Sequence, residues 1–175
     1  MKTTRPTKNF GTPRRTKTSA RPSEPYLSYF AYGANLHREE MRRRCPRSRP
    51  VCPARLSGYL LRIALPLDSP QGPGWATITP ERGACVPGAI YHLHETDLGA
   101  LDEYEDYPDL YLREDVTVNT EGGPEAAIIY RMREPLRPAR PTPEYKKTLR
   151  KGYRDFDLDG EILETALRAA RTEER

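Results

Sequence analysis

Residues 26–31, Tyr-Leu-Ser-Tyr-Phe-Ala, are nearly all apolar or aromatic, the pattern of a buried strand. The run breaks at Gly33, and the polar, charged stretch 37–44 predicts a short helix. Pro46, Pro50 and Pro53 argue against regular structure up to residue 54. From there Leu56, Leu60, Leu61, Ile63 and Leu65 predict a long strand over 54–65, bent at Gly58. A loop of turn residues fills 66–74, and two short strands are predicted at 76–79 and 86–93. Thr96 is placed to cap a helix over 97–103 whose acidic start suits the helix dipole. Residues 111–118 and 125–132 predict an antiparallel hairpin across 120–124, with Tyr111 and Arg113 on the side opposite Leu112, Val116 and Val118. After a Pro-rich link, Thr142 and Pro143 start a helix to about residue 154, and Asp159 starts another to about 171. Strands followed by terminal helices point to an α+β fold.

Composition sharpens this picture at the N-terminus. The 175 residues suffice for one domain with a real core. The formal charge of +4 invites a nucleic-acid reading. Yet residues 1–25 hold seven basic residues against Glu24 alone, while the rest holds 22 basic and 24 acidic residues. The excess belongs to a Thr-, Pro- and Arg-rich arm too poor in apolar residues to order itself. The expected organisation is a disordered basic arm, 1–25, and one domain, 26–175. Arg42-Arg43-Arg44 lacks interleaved aromatics and is expected to be a solvated face, so a nucleic-acid partner is not expected. No apolar run is long enough to cross a membrane. Cys45, Cys52 and Cys85 are odd in number and lack Cys-x-x-Cys spacing, which fits reduced thiols in a cytoplasmic protein. His92 and His94 share a strand face but have no third ligand nearby, so no metal is expected.

Two stretches carry candidate chemistry. A strand opening through Gly33 into a helix start aims backbone N–H groups at one point and suits an anionic ligand, although a Gly after a strand also marks a plain turn. Leu98, Leu101 and Glu105 fall at i, i+3 and i+7, which places Glu105 on the inward stripe of its helix, provided that the helix extends so far. Asp102, Glu103 and Asp106 would then be solvated charges. Desolvation would raise the Glu105 pKa toward neutrality, as a general acid/base requires; the alternative is a surface charge closing the helix.

Tyr29-Phe30-Ala31-Tyr32-Gly33-Ala34-Asn35-Leu36 resembles the Tyr-Phe-Ala-Tyr-Gly-Ser-Asn-Leu signature of the gamma-glutamylcyclotransferase family. Leu101-Asp102-Glu103-Tyr104-Glu105-Asp106 resembles its Leu-Asp-x-x-Glu-Gly segment, and Pro141-Thr142-Pro143-Glu144-Tyr145 its Pro-Ser-Pro-x-Tyr segment. Ala76-Thr77-Ile78 is similar to a family strand. The resemblance implies a small mixed β-barrel with packed helices and a reaction without metal or cofactor. Its small-molecule substrate would be a γ-glutamyl amino acid or amine, cyclised to 5-oxoproline by a monomer or homodimer. It assigns the catalytic carboxylate to Glu105 and substrate binding to Tyr32, Gly33, Ala34, Asn35, Leu36, Tyr111 and Tyr145. For each tyrosine the alternative is a core aromatic with a satisfied hydroxyl. Ala34 for Ser, Asp106 for Gly, and a Glu105-to-Tyr111 spacing one residue shorter than in animal members depart from the pattern. Asn35 stands where glutathione-specific relatives have Leu. A γ-glutamyl amide of lysine or of a biosynthetic intermediate is the alternative substrate, and a non-catalytic binding module the alternative role.

Overall fold

Each strand of this chain has an apolar side that only other strands cover, and closing the sheet on itself covers all of them at once. The computed structural model describes residues 26–170, so the expected arm, 1–25, lies outside the described residues. Five strands form the ring: β1 (Tyr26–Ala31), β2 (Arg49–Pro66), β3 (Trp75–His94), β4 (Tyr111–Thr120) and β5 (Gly123–Met132). Around the barrel they run β3, β1, β5, β4, β2 and back to β3. Neighbours are antiparallel except β1 and β5, which meet in parallel at Tyr29 and Ile128. A sixth strand, β6 (Leu136–Pro138), lies against the end of β2. The helices are α1 (Arg38–Arg44), α2 (Leu98–Tyr104), α3 (Pro143–Asp155) and α4 (Gly160–Ala169). This is the α+β barrel that the sequence led us to expect.

Phe30, Ile78, Ile90, Leu93, Ile129 and Met132 are all buried in one hydrophobic core, Phe30 and Ile90 side by side on paired strands. Each such side chain contributes roughly 1.5–3 kcal/mol by leaving water. The hairpin of β4 and β5 lies where alternation places it, pairing Tyr111 with Met132 through to Thr120 with Gly123.

Three expectations need correction. β2 begins at Arg49, five residues earlier than expected, and carries Pro50 and Pro53 within it. Among the described residues it pairs along this part with β3 alone until Arg55 reaches Asn119 of β4, the edge position in which a strand tolerates proline. The two short strands at 76–79 and 86–93 are one strand, β3; its register against β2 jumps from Pro80 opposite Tyr59 to Cys85 opposite Ser57. The polar residues between form a bulge against Gly58, which is itself left-handed at φ 82°. Thr96 does not cap a helix: it lies in a 3-10 turn, Glu95–Asp97, where the His94 ring accepts the Thr96 N–H.

α3 determines where the site lies. Thr142 accepts the Tyr145 N–H at 3.1 Å and Pro143 takes the first helical position, as the sequence predicts. The helix then crosses the 3-10 turn Ala34–Leu36 that follows β1. A Cβ on Gly152 would stand 2.6 Å from Leu36 Cβ and 2.8 Å from the His37 N, so only glycine allows this approach. At the far end, Asp155 Oδ2 accepts the Arg38 N–H at 2.9 Å and lies 3.0 Å from His37 Nδ1, pinning the start of α1 to α3.

Candidate active site

β1 ends in Tyr32 and Gly33, and the chain folds at once into the turn in which Leu36 N–H donates to Gly33 O and His37 N–H to Ala34 O. The N–H groups ahead of these are the orphan donors that any helix start leaves. Gly33 eases the close approach to β3, since a Cβ there would meet Ala76 Cβ at a tight 3.1 Å. The turn borders a cavity of about 250 Å³ lined by Gly33, Ala34, Asn35, Glu105, Trp75, Leu110 and six tyrosines, 29, 32, 104, 111, 130 and 145. Six of the eight residues assigned from the sequence line it beside Glu105 or the turn, and Glu105 makes seven. Leu36 does not: its buried side chain packs behind the turn against Gly152.

Glu105 reaches the cavity differently from the expected stripe. α2 stops at Tyr104, and Glu105 is its C-cap, with its N–H still donating to Leu101 O at 3.0 Å. Asp106 N–H then donates to Glu103 O and Tyr107 N–H to Asp102 O, the paired bonds of a Schellman cap. Such a cap needs a left-handed residue, and Asp106 supplies it at φ 49° where the family pattern has glycine. The helical phase therefore holds through Glu105 and the chain turns away immediately after.

The carboxylate is half-buried, and Asn35 Nδ2 donates to its Oε1 at 2.6 Å. Burial pushes the Glu105 pKa from 4.5 up to about 7, against the opposing pull of the Arg44 charge and the Asn35 hydrogen bond. Asn35 also donates to Tyr29 Oη at 2.9 Å, and its own Oδ1 accepts from Arg44. Arg44 lies over the Tyr104 ring. This corrects the reading of Arg42-Arg43-Arg44 as a solvated face: Arg42 and Arg43 are exposed, but Arg44 turns inward. The usable signal was its place one turn after Met41, whose side chain is buried.

The tyrosine hydroxyls divide by what they have already spent. Tyr111 donates to Ala76 O at 2.7 Å and Tyr32 donates to Tyr130 O, leaving each oxygen able only to accept. Tyr145 instead accepts the Ala76 N–H at 3.1 Å and keeps its proton to give. Burial holds all three pKa values above the ordinary tyrosine range, so they remain neutral.

Asp102 was expected to be solvated, yet both its oxygens accept from Arg113 at 2.9 Å and Oδ1 also accepts from Tyr130. These bonds tie α2 to β4 and β5 and hold Glu105 over the barrel mouth. Glu103 and Asp106 are exposed as expected. His94 is engaged with Thr96 and stacks edge-on with Tyr26, while Cys45 is buried with its thiol pushed up to about 12 by desolvation.

The family described as gamma-glutamyl cyclotransferase, AIG2-like, matches residues 29–155, from the first cavity tyrosine to the end of α3. The chain belongs to this family. It is 31% identical over 151 residues to the human gamma-glutamylcyclotransferase, covering 82% of this chain and 78% of that one. Against the mouse gamma-glutamylcyclotransferase it is 29% identical over 140 residues, covering 78% and 74%. A solved structure of a gamma-glutamyl cyclotransferase superposes with a TM-score of 0.74 at 29% identity, over 86% of this chain and 90% of that one. Within the gamma-glutamyl cyclotransferase fold, the matched region contains every residue named here as lining the cavity.

Proposed function

We propose that the protein is a cytoplasmic gamma-glutamylcyclotransferase that releases 5-oxoproline from a γ-glutamyl amino acid or γ-glutamyl amine, with Glu105 as its acid/base. The observation that carries this reading is a carboxylate near pH 7 in the same small cavity as the Gly33–Asn35 turn. The substrate's α-ammonium loses a proton to Glu105. The free amine attacks its own γ-carbonyl and a five-membered ring closes; the C–N bond breaks as Glu105 gives its proton to the leaving nitrogen, and the second proton of the ring nitrogen passes through Glu105 to the departing amine, leaving the lactam N–H. No water is consumed and no group is transferred to the protein. Holding the chain folded for ring closure supplies much of the remaining rate.

The turn's N–H groups suit the glutamyl α-carboxylate. The accept-only oxygens of Tyr32 and Tyr111 suit the ammonium, and the Tyr145 proton suits the carbonyl oxygen as it gains charge. The test is a panel of γ-glutamyl amino acids, amines and ε-lysine amides, with 5-oxoproline read by mass spectrometry. Release from one class identifies the leaving group; release from none of them refutes the reading.

A further inference from the structure

Outside the carboxylate itself, one chain of contacts near the cavity has no part in the reaction as described. It runs from Arg44 on α1, through Asn35 on the turn, to Glu105 at the end of α2. An asparagine carboxamide has one accepting end and one donating end, and rotating it by half a turn exchanges them. Arg44 can only donate. Its bond to Asn35 Oδ1 therefore decides the orientation, leaving Nδ2 to face both Glu105 Oε1 and Tyr29 Oη. Were the carboxamide reversed, its oxygen would face the carboxylate and repel it.

We propose that Arg44 is a positioning residue for the cyclisation, which fixes Asn35 so that Asn35 in turn holds one oxygen of Glu105 and leaves the other for substrate. The proposal rests on the cyclotransferase reading for its chemistry, but not for the geometry. Tyr104 stacked against the guanidinium keeps Arg44 from swinging to solvent, and Tyr104 precedes Glu105 directly, so Arg44 holds this residue pair once by direct contact and once through Asn35. Arg44 is also the cation whose charge opposes the effect of burial on Glu105. Among the described residues the other titratable groups around the carboxylate are phenols and one thiol: Tyr29 and Tyr32 on the β1 side, Cys45 after α1, Tyr104 on α2, Tyr111 on β4 and Tyr145 on α3. All are neutral near pH 7 and contribute no counter-charge.

The experiment compares Arg44→Met, which keeps the stem but removes donor and charge, with Arg44→Lys, which keeps both, and with Arg42→Gln on the exposed face as control. The readouts are thermal melting, kcat and KM across pH, and the Glu105 carboxyl titration followed by ¹³C NMR. Arg44→Met is expected to lower kcat about ten- to a hundredfold at pH 7 with little change in KM. It should move both the acidic limb and the carboxyl titration upward by about one pH unit, a tenfold change in the proton equilibrium. Arg44→Lys should recover most of the loss, and Arg42→Gln should match the parent. A folded Arg44→Met protein with an unmoved Glu105 titration overturns the proposal, even if activity falls, because that is what mere packing would give. The titration needs no turnover: if the parent released no 5-oxoproline yet Arg44→Met moved the Glu105 titration, the cyclotransferase reading would fail and the positioning role would stand.

Discussion

Asp106 adopts a left-handed backbone at φ 49° directly after Glu105, and the two residues together end α2. A left-handed turn costs an L-residue roughly 1–2 kcal/mol, less for aspartate, while glycine enters it freely and loses part of that advantage to unfolded-state entropy. Asp106→Gly is therefore expected to stabilise the protein by about 0.5–1 kcal/mol with turnover unchanged. Asp106→Val places a β-branched residue where it fits worst, and should lower both melting temperature and kcat as Glu105 loses its anchor. Chemical denaturation of both variants checks the order; a stabilised valine variant would refute the cap argument.

Replacing Glu105 by Gln keeps its size and its bond from Asn35 but ends proton exchange near neutral pH. Turnover should fall by about a hundred- to ten-thousand-fold or more, since one group serves both proton transfers. Binding of 5-oxoproline, measured by calorimetry, should persist, and Glu103→Gln on the exposed face should behave as the parent. A dead Glu103→Gln beside an active Glu105→Gln would reverse the assignment.

Stability should follow the same carboxyl. Its pKa rises from 4.5 unfolded to about 7 folded because burial disfavours the charge. The folded state therefore holds the proton more tightly between those values, and stability is lost as pH rises through that window. Glu105→Gln escapes the loss, so at pH 8 it should exceed the parent by on the order of 1 kcal/mol, and the gap should close toward pH 4.5. Parallel melts across pH decide this. In the active parent, kcat/KM should decline below about pH 7 as the base becomes protonated.

Gly152→Ala sets two effects against each other. Alanine gains roughly 1 kcal/mol of helix propensity. Its methyl, however, meets Leu36 Cβ at 2.6 Å and the His37 backbone at 2.8 Å, neither the far end of a flexible chain. Overpacking of this kind costs roughly 1–3 kcal/mol, so the net change should be destabilising, with KM raised as the Gly33–Asn35 turn shifts. A more stable variant with an unchanged KM would show that α3 does not set the turn.

Local signals were enough for β1, the β4–β5 hairpin, the start of α3 at Thr142 and Pro143, and the inward phase of Glu105, because each depends on spacing within a few residues. What escaped depends on neighbours distant in sequence. Pro50 and Pro53 read as breakers until it is known that, among the described residues, β2 pairs there with β3 alone. The polar residues between Pro80 and Cys85 read as a break, since a bulge and a loop have the same composition. Arg44 looked like its two exposed neighbours because its partners, Asn35 and Tyr104, belong to separate elements. Asp102 was misplaced for the same reason, its partners being on β4 and β5.

The cavity takes its walls from Tyr29 near the start of the barrel and from Tyr145 beyond its last strand, with β3, α2, β4 and β5 contributing between them. The one parallel junction among the described residues, Tyr29 beside Ile128, joins segments about a hundred residues apart and closes the ring. Closing a contact this distant in sequence costs the loop entropy of the intervening chain. No contiguous fragment ending before residue 145 contains the whole site, so on a ribosome the nascent chain has no competent pocket until α3 has emerged and the ring has shut behind it.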